Sequence, residues 1–179
     1  VARKISGSSE HKLSNLAVLN SLSKRSNAAG LRAGFLCADP KVISSYSKIA
    51  ANGLALVPTP LLNVAGEIYR DFEHNKLVRS HYNNAFKLAE KYLDCDIPEG
   101  GFFLWLKVGD DLRCAQLLWE KMAIKVIPGS YMALASNAEN PASGYIRIAM
   151  VHSLDTIEQA MQRLQIFFNN IWRENKIDD

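Results

Sequence analysis

The sequence is poor in the features that mark several classes of protein. No stretch stays apolar for the roughly 18 residues that a membrane-crossing helix needs. Cysteine is scarce: Cys37, Cys95 and Cys114 are odd in number and widely spaced, which excludes a disulfide framework and fits reduced thiols in a cytoplasmic protein. The four histidines, His11, His74, His81 and His152, fall at no metal-ligand spacing with them or with each other, so no metal is expected. Lys and Arg form no run and the net charge is only +3, which argues against an obligate nucleic-acid binder. Internal repeats and low-complexity tracts are also missing. What remains is an ordinary globular composition, 48% apolar and 22% charged, over 179 residues, enough for one domain or two small ones.

Periodicity and punctuation predict an α/β chain. Residues 1–15 are polar and Ser-rich and read as a loop. A short apolar run from Leu16 to Asn20 predicts a buried strand, and Arg32 to Cys37 a second one, with a Gly/Ser-rich loop between. Asp39 suits a helix N-cap and Pro40 the first helical position. That helix carries Val42, Ile43, Tyr46, Ile49 and Ala50 on one face and stops near Asn52-Gly53. A long helical pattern follows from about Leu61 to Leu93, with a break or bend expected in the polar patch Glu73 to Asn83, and a domain boundary is placed near residue 75. Beyond the turn Ile97–Gly101, strands are predicted at 102–108, 125–127 and 145–151. Helices begin at Asp110-Asp111 and at Asp155, where Asp155-Thr-Ile-Glu158 has capping-box spacing. Residues 130–144 read as a polar loop and the tail after Trp172 as charged and frayed. Trp105, Trp119, Phe167 and Phe168 are assigned to the core. The second half is thus strand, helix, strand, strand, helix: helices layered on a small sheet.

Two places concentrate chemistry. Ser21-Leu-Ser-Lys-Arg-Ser-Asn-Ala-Ala-Gly-Leu-Arg-Ala-Gly-Phe35 packs hydroxyls, three cations and two glycines into one turn after a strand. Hydroxyls and a guanidinium hold a phosphate, and glycine lets backbone approach it. A lysine among other cations gives up its proton more readily and then serves as an amine nucleophile toward a carbonyl. The same composition also describes a solvated surface loop. The second place is Arg147, mid-strand, with Ile146 and Ile148 on the opposite face. It is either a cation on the wet face of a half-buried sheet or a planar fork for a carboxylate.

The spacing Ser21-x-x-Lys24, with Arg32 eight residues on and Gly34 two further, resembles the lysine motif of fold-type I aminotransferases, which use pyridoxal 5′-phosphate (PLP). Gly144-Tyr-Ile-Arg-Ile-Ala149 resembles the motif whose arginine grips the substrate α-carboxylate. Gly100-Gly-Phe-Phe103 is similar to a glycine turn near the substrate entrance, and Pro128-Gly-Ser-Tyr131 to the Pro-Gly loop ahead of the carboxylate arginine. The longer string Ser21 to Phe35 looks most like the succinyldiaminopimelate aminotransferases. The fold implied is α/β: the C-terminal portion of a fold-type I PLP-dependent transferase, with residues 1–75 the end of the large domain and 76–179 the small α/β domain.

The resemblance implies that Lys24 carries PLP as a Schiff base and shuttles the Cα proton, that Ser21 and Arg32 bind its phosphate, and that Arg147 binds the substrate. It further implies glutamate/2-oxoglutarate as one substrate pair, N-succinyl-2-amino-6-oxopimelate as acceptor in lysine and diaminopimelate synthesis, and a homodimer when full length. An aspartate on the pyridine nitrogen, a ring stacked on the cofactor, and asparagine and tyrosine contacts to its hydroxyl normally precede the lysine. None is assignable in residues 1–20. The chain therefore reads as a C-terminal part, with weak PLP binding and no transamination expected of it alone. Two other readings stay open: another aminotransferase, for aspartate or an aromatic amino acid, and a non-catalytic truncated domain. Arg25 and Asn27 belong to the motif string without an assigned role.

Overall fold

The computed structural model describes residues 16–53, 57–134 and 140–172. The loop expected over 1–15 and the charged tail after Trp172 lie outside the described residues. The chain divides into two compact units, Val1–Val78 and Arg79–Asp179.

The first unit starts with an antiparallel ribbon of β1 (Val18–Ser21) and β2 (Gly34–Cys37), in register Val18↔Cys37 to Ser21↔Gly34. Between the strands the expected loop is folded. One helical turn, α1 (Leu22–Arg25), is followed by a 3-10 turn over Ala29–Leu31. Arg32, placed in the second strand by the sequence, falls outside it. Its φ of 51° is left-handed, so it turns the chain into β2 rather than extending it. Gly34 is required there, because a Cβ would meet the Asn20 carbonyl oxygen at 2.5 Å.

Asp39 caps α2 (Pro40–Gly53) as its position predicts, its carboxylate accepting from the Lys41 amide at 2.9 Å. The apolar face expected on α2 is only partly covered: Ala50 is buried, while Val42, Tyr46 and Ile49 are exposed. The long helical pattern is two helices, α3 (Thr59–Arg70) and α4 (Phe72–Tyr92). The break falls at Asp71, just before the polar patch where a break or bend was expected. Asp71 ends α3 through its N–H to Glu67 and Ile68 carbonyls, and its side chain accepts from the His74 amide at 2.8 Å to start α4. With that cap in place the polar patch Glu73–Asn83 is uninterrupted helix, since exposed polar side chains do not bend one. Leu22, Ala33 and Ala65 form this unit's small buried cluster, with Leu31, Ile68 and Tyr69 against it.

The second unit holds a three-stranded antiparallel sheet of β3 (Phe103–Lys107), β4 (Ile127–Pro128) and β5 (Tyr145–Ala149), in spatial order β3-β5-β4. Leu104, Leu106, Ile146 and Ile148 alternate onto one face and are buried. They pack on Phe86 and Ala89 of α4, on Cys114 and Leu118 of α5 (Asp111–Met122), and on Ile157, Met161 and Leu164 of α6 (Leu154–Ile166). Each such large side chain taken from water contributes about 1.5–3 kcal/mol, which is what holds the layers together. The predicted order of strands and helices is the order found. A π-helical turn, Phe167–Trp172, extends α6 and buries both of those rings.

Three expectations are corrected here. β4 is Ile127–Pro128 rather than 125–127, because Pro128 pairs with Ile146 at the sheet edge, where its missing N–H costs no ladder bond. α6 is capped by Ser153, whose hydroxyl accepts from the Thr156 amide, and not by Asp155. Glu158, the supposed partner in that box, bonds instead to Lys91 and Tyr92 at 2.8 and 2.7 Å. Trp119 is 60% and Trp105 41% exposed, so neither is a core residue. Trp105 lies on the face of β3 away from the core, and Trp119 on the outer side of α5.

Candidate active site

The motif lysine sits where a ribbon ends. Ser21 is the last residue of β1 and also the N-cap of α1, with its hydroxyl accepting from the Ser23 amide at 3.2 Å. Across the ribbon Ser21 faces Gly34, and the Leu22 amide donates to the Ala33 carbonyl at 3.1 Å. This register brings Arg32 to the same end as Ser21, with Lys24 on the helical turn between them in sequence. Ser21, Lys24 and Arg32 are all exposed, and the Arg32 guanidinium donates to the Ala29 carbonyl at 2.9 Å. Residues 16–38 contain three cations and no carboxylate. A hydroxyl, an amine and a guanidinium at one ribbon end is a donor set suited to an anionic group that also bears a carbonyl. By that chemistry the residues present fit the phosphate and aldehyde of PLP.

The two unassigned motif residues have clear structural work. Arg25 donates to the Ile68 carbonyl at 3.3 Å, the Tyr69 carbonyl at 3.1 Å and the Ser26 hydroxyl at 2.9 Å. Its guanidinium lies 5.3 Å from the Tyr69 ring centre. Asn27 takes φ 53°, a left-handed conformation that asparagine tolerates better than most residues, and the reversal lets the Ala28 amide reach back to Leu22 at 3.2 Å. Tyr69 also braces the ribbon. Its hydroxyl donates to Asn20 at 3.3 Å and its ring packs on Phe35. Burial raises the Tyr69 phenol above its ordinary pKa, and the nearby Arg25 charge only partly offsets this.

Arg147 lies in the second unit, on β5. It is directly opposite Trp105 on β3 and Ile127 on β4. Strand alternation puts it on the face away from the core, as expected. There its guanidinium sits 4.3 Å over the Phe103 ring, beside the stacked pair Trp105–Tyr145. An aromatic shelf under a planar fork holds the fork's plane while its N–H edge stays able to donate.

The loop ahead of β5 is held by a residue that the sequence showed only as a helix cap. Asp111 is buried at the first turn of α5 and accepts from the Ser130 amide at 2.7 Å. Burial pushes its carboxyl upward, but the Ser130 amide, with the Ser130 hydroxyl and the Gly144 amide nearby, outweighs that and keeps it below the ordinary carboxylate range. Asn140 adds bonds to the Ser130 and Ala133 carbonyls and accepts from the Ala142 amide. Gly129 lies so close to the returning chain that a Cβ would meet the Ala142 carbonyl oxygen at 2.1 Å. The available sequence signal was a second aspartate beside Asp110, where one cap suffices: Asp110 alone accepts from the Arg113 amide.

Known proteins resemble this chain over most of its length. Residues 4–164 match the family model described as aminotransferase class I and II, a span that contains Ser21, Lys24, Arg32 and Arg147. An aspartate aminotransferase of Thermotoga maritima is 24% identical over 160 residues, 87% of this chain and 40% of that protein. An LL-diaminopimelate aminotransferase of Natranaerobius thermophilus is 28% identical over 159 residues, 84% of this chain and 40% of that protein. Among solved structures, an aminotransferase from Neisseria meningitidis superposes with a TM-score of 0.75 at 33% identity, covering 84% of this chain and 40% of its own. The aminotransferase AspB from Helicobacter pylori gives 0.78 at 27% identity, covering 88% and 41%. The chain spans about 40% of the length of the curated relatives it matches.

Proposed function

The chain belongs to the class I and II aminotransferase family, and we propose that it carries the cofactor-anchoring lysine and the carboxylate-binding arginine of a PLP-dependent amino transfer. When bound, PLP supplies the electron sink that makes an amino acid's Cα proton removable. Lys24 would hold the cofactor through Nζ, and its free amine would take the Cα proton as base and return it as acid. Ser21 Oγ and the Arg32 guanidinium bind the phosphate by charge-assisted hydrogen bonds. Arg147 takes both oxygens of the substrate α-carboxylate and so orients its Cα–H bond. The observation that supports this reading is the register of β1 on β2, which pairs Ser21 with Gly34 at the ribbon end from which the Lys24 turn leaves and to which Arg32 returns.

The same proposal names glutamate as donor and N-succinyl-2-amino-6-oxopimelate as acceptor, with a cytoplasmic homodimer as the working form. The string Ser21 to Phe35 supports that acceptor, as do relatives named LL-diaminopimelate and N-acetyl-LL-diaminopimelate aminotransferase. The second reading is aspartate as substrate, favoured by relatives of that name from Thermotoga and Pyrococcus. A keto-acid panel assayed on the full-length protein with glutamate as donor separates the two. For the 179-residue chain by itself the expectation is weak PLP binding without turnover, because no residue assigned here keeps the pyridine nitrogen protonated. The test is treatment of the purified chain with PLP and then borohydride, which fixes the cofactor on any amine it has reached, followed by mass-spectrometric mapping. Preferred labelling of Lys24 over the α2 lysines Lys41 and Lys48 is expected. Equal labelling of all three would sink the assignment, and rapid turnover of glutamate would overturn the expectation of inactivity.

A further inference from the structure

The helical turn that bears Lys24 is too short to stand alone. Fixing one isolated turn costs more conformational entropy than the hydrogen bonds that close it return, and α1 is a single turn, ended by the Ser26 amide on the Leu22 carbonyl. At its start the turn is anchored by the buried Leu22 side chain and the bond to Ala33. Its end is tied to the α3–α4 elbow. There Arg25 grips the Ile68 and Tyr69 carbonyls in the last turn of α3, where unsatisfied carbonyls attract a cation. From the first turns of α4, the Asn75 amide donates to the Arg25 carbonyl at 2.9 Å. His74 Nε2 lies 3.1 Å from the Ser26 carbonyl and, since a carbonyl only accepts, is the donor. The faces of Tyr69 and Phe72 flank the guanidinium at 5.3 and 6.0 Å.

We propose that Arg25 is a positioning residue for Lys24: it clamps the lysine-bearing turn to the α3–α4 elbow, so that the amine is presented from a fixed backbone. A solvent-facing arginine would not bond two carbonyls more than forty positions away in sequence while lying between two rings. The planar fork is needed because one ammonium cannot reach both carbonyls in the same plane and stack on a ring. The role of Lys24 itself rests on the function proposed above.

The test compares the wild-type chain with R25A, R25K and N75A by two readouts. The first is backbone amide exchange in the segment 22–28, referenced to α2. The second is the ratio of Lys24 to Lys41 labelling by PLP and borohydride. Loss of even one charge-assisted hydrogen bond corresponds to about tenfold in local opening, and R25A removes both bonds to α3, so it is expected to speed exchange in 22–28 by at least about tenfold while α2 is unchanged. The labelling ratio falls with it, R25K does not restore either quantity, and N75A moves exchange in the same direction by less. A general loss of structure would raise exchange in α2 as well; N75A, which keeps the guanidinium, then decides the matter. Unchanged exchange in 22–28 in a folded R25A, or full rescue by R25K, overturns the inference. Absent preference for Lys24 in the wild type would defeat the functional reading alone, since the exchange readout judges the clamp without it.

Discussion

Replacing Asp111 by alanine probes how the strand that carries Arg147 is held. The buried carboxylate accepts the Ser130 amide at 2.7 Å and so pins the start of the segment that leads toward β5. Alanine leaves that buried N–H without an acceptor, which costs about 1–3 kcal/mol. Relief of the desolvated charge offsets part of this, for a net loss of about 1–2 kcal/mol. That is a sizeable share of the roughly 5–15 kcal/mol that holds a domain folded. For a unit of this size it lowers the melting temperature by about 5–15 °C. Asparagine keeps one acceptor oxygen and loses about half as much. The assay is urea unfolding followed by tryptophan fluorescence, to which Trp105 contributes beside Gly129, with thermal melting in parallel. The sign of the pH effect follows from the depressed carboxyl. Its contribution is complete above the unfolded value of about 4 and is lost as pH falls through the lower folded value. The wild type should therefore lose stability on the acid side where D111N loses less. A D111A midpoint equal to wild type, or an unchanged acid limb in D111N, would refute the reasoning.

Two further substitutions are informative. Gly129→Ala forces a Cβ to within 2.1 Å of the Ala142 carbonyl oxygen and 2.9 Å of that of Tyr145, both backbone atoms that cannot swing aside, so a loss of about 3 kcal/mol is expected by the same urea titration. Ala123 ends α5 in the left-handed region at φ 51°, where its Cβ is strained, and Ala123→Gly should raise stability by about 0.5–1 kcal/mol, read as a higher melting temperature.

Much of the layout was legible in the sequence because it depends on local rules. The alternation in Tyr145–Ala149 placed Arg147 opposite the core face, since successive strand residues cannot share a side. Asp39-Pro40 marked a helix start that the chain uses. Errors gathered where long-range partners compete with local signals. Asp155 and Glu158 have capping-box spacing, yet Ser153 takes the cap and Glu158 turns to Lys91 and Tyr92, residues of a helix more than sixty positions earlier. Trp119 is large and apolar, which suggested burial. Helical phase put it outside, because Cys114 and Leu118 occupy the inward positions of α5.

The sequence by itself determined the order of strands and α-helices in the second unit, the two motifs and the face on which Arg147 lies, because backbone periodicity and residue chemistry are properties of neighbours along the chain. Only the tertiary structure decided the roles of Arg25 and Asp111. One grips carbonyls of α3 and the other holds the Ser130 amide. A charged side chain looks alike in sequence whether it faces water or satisfies buried backbone, and the difference is set by which distant groups the fold leaves in need of a partner.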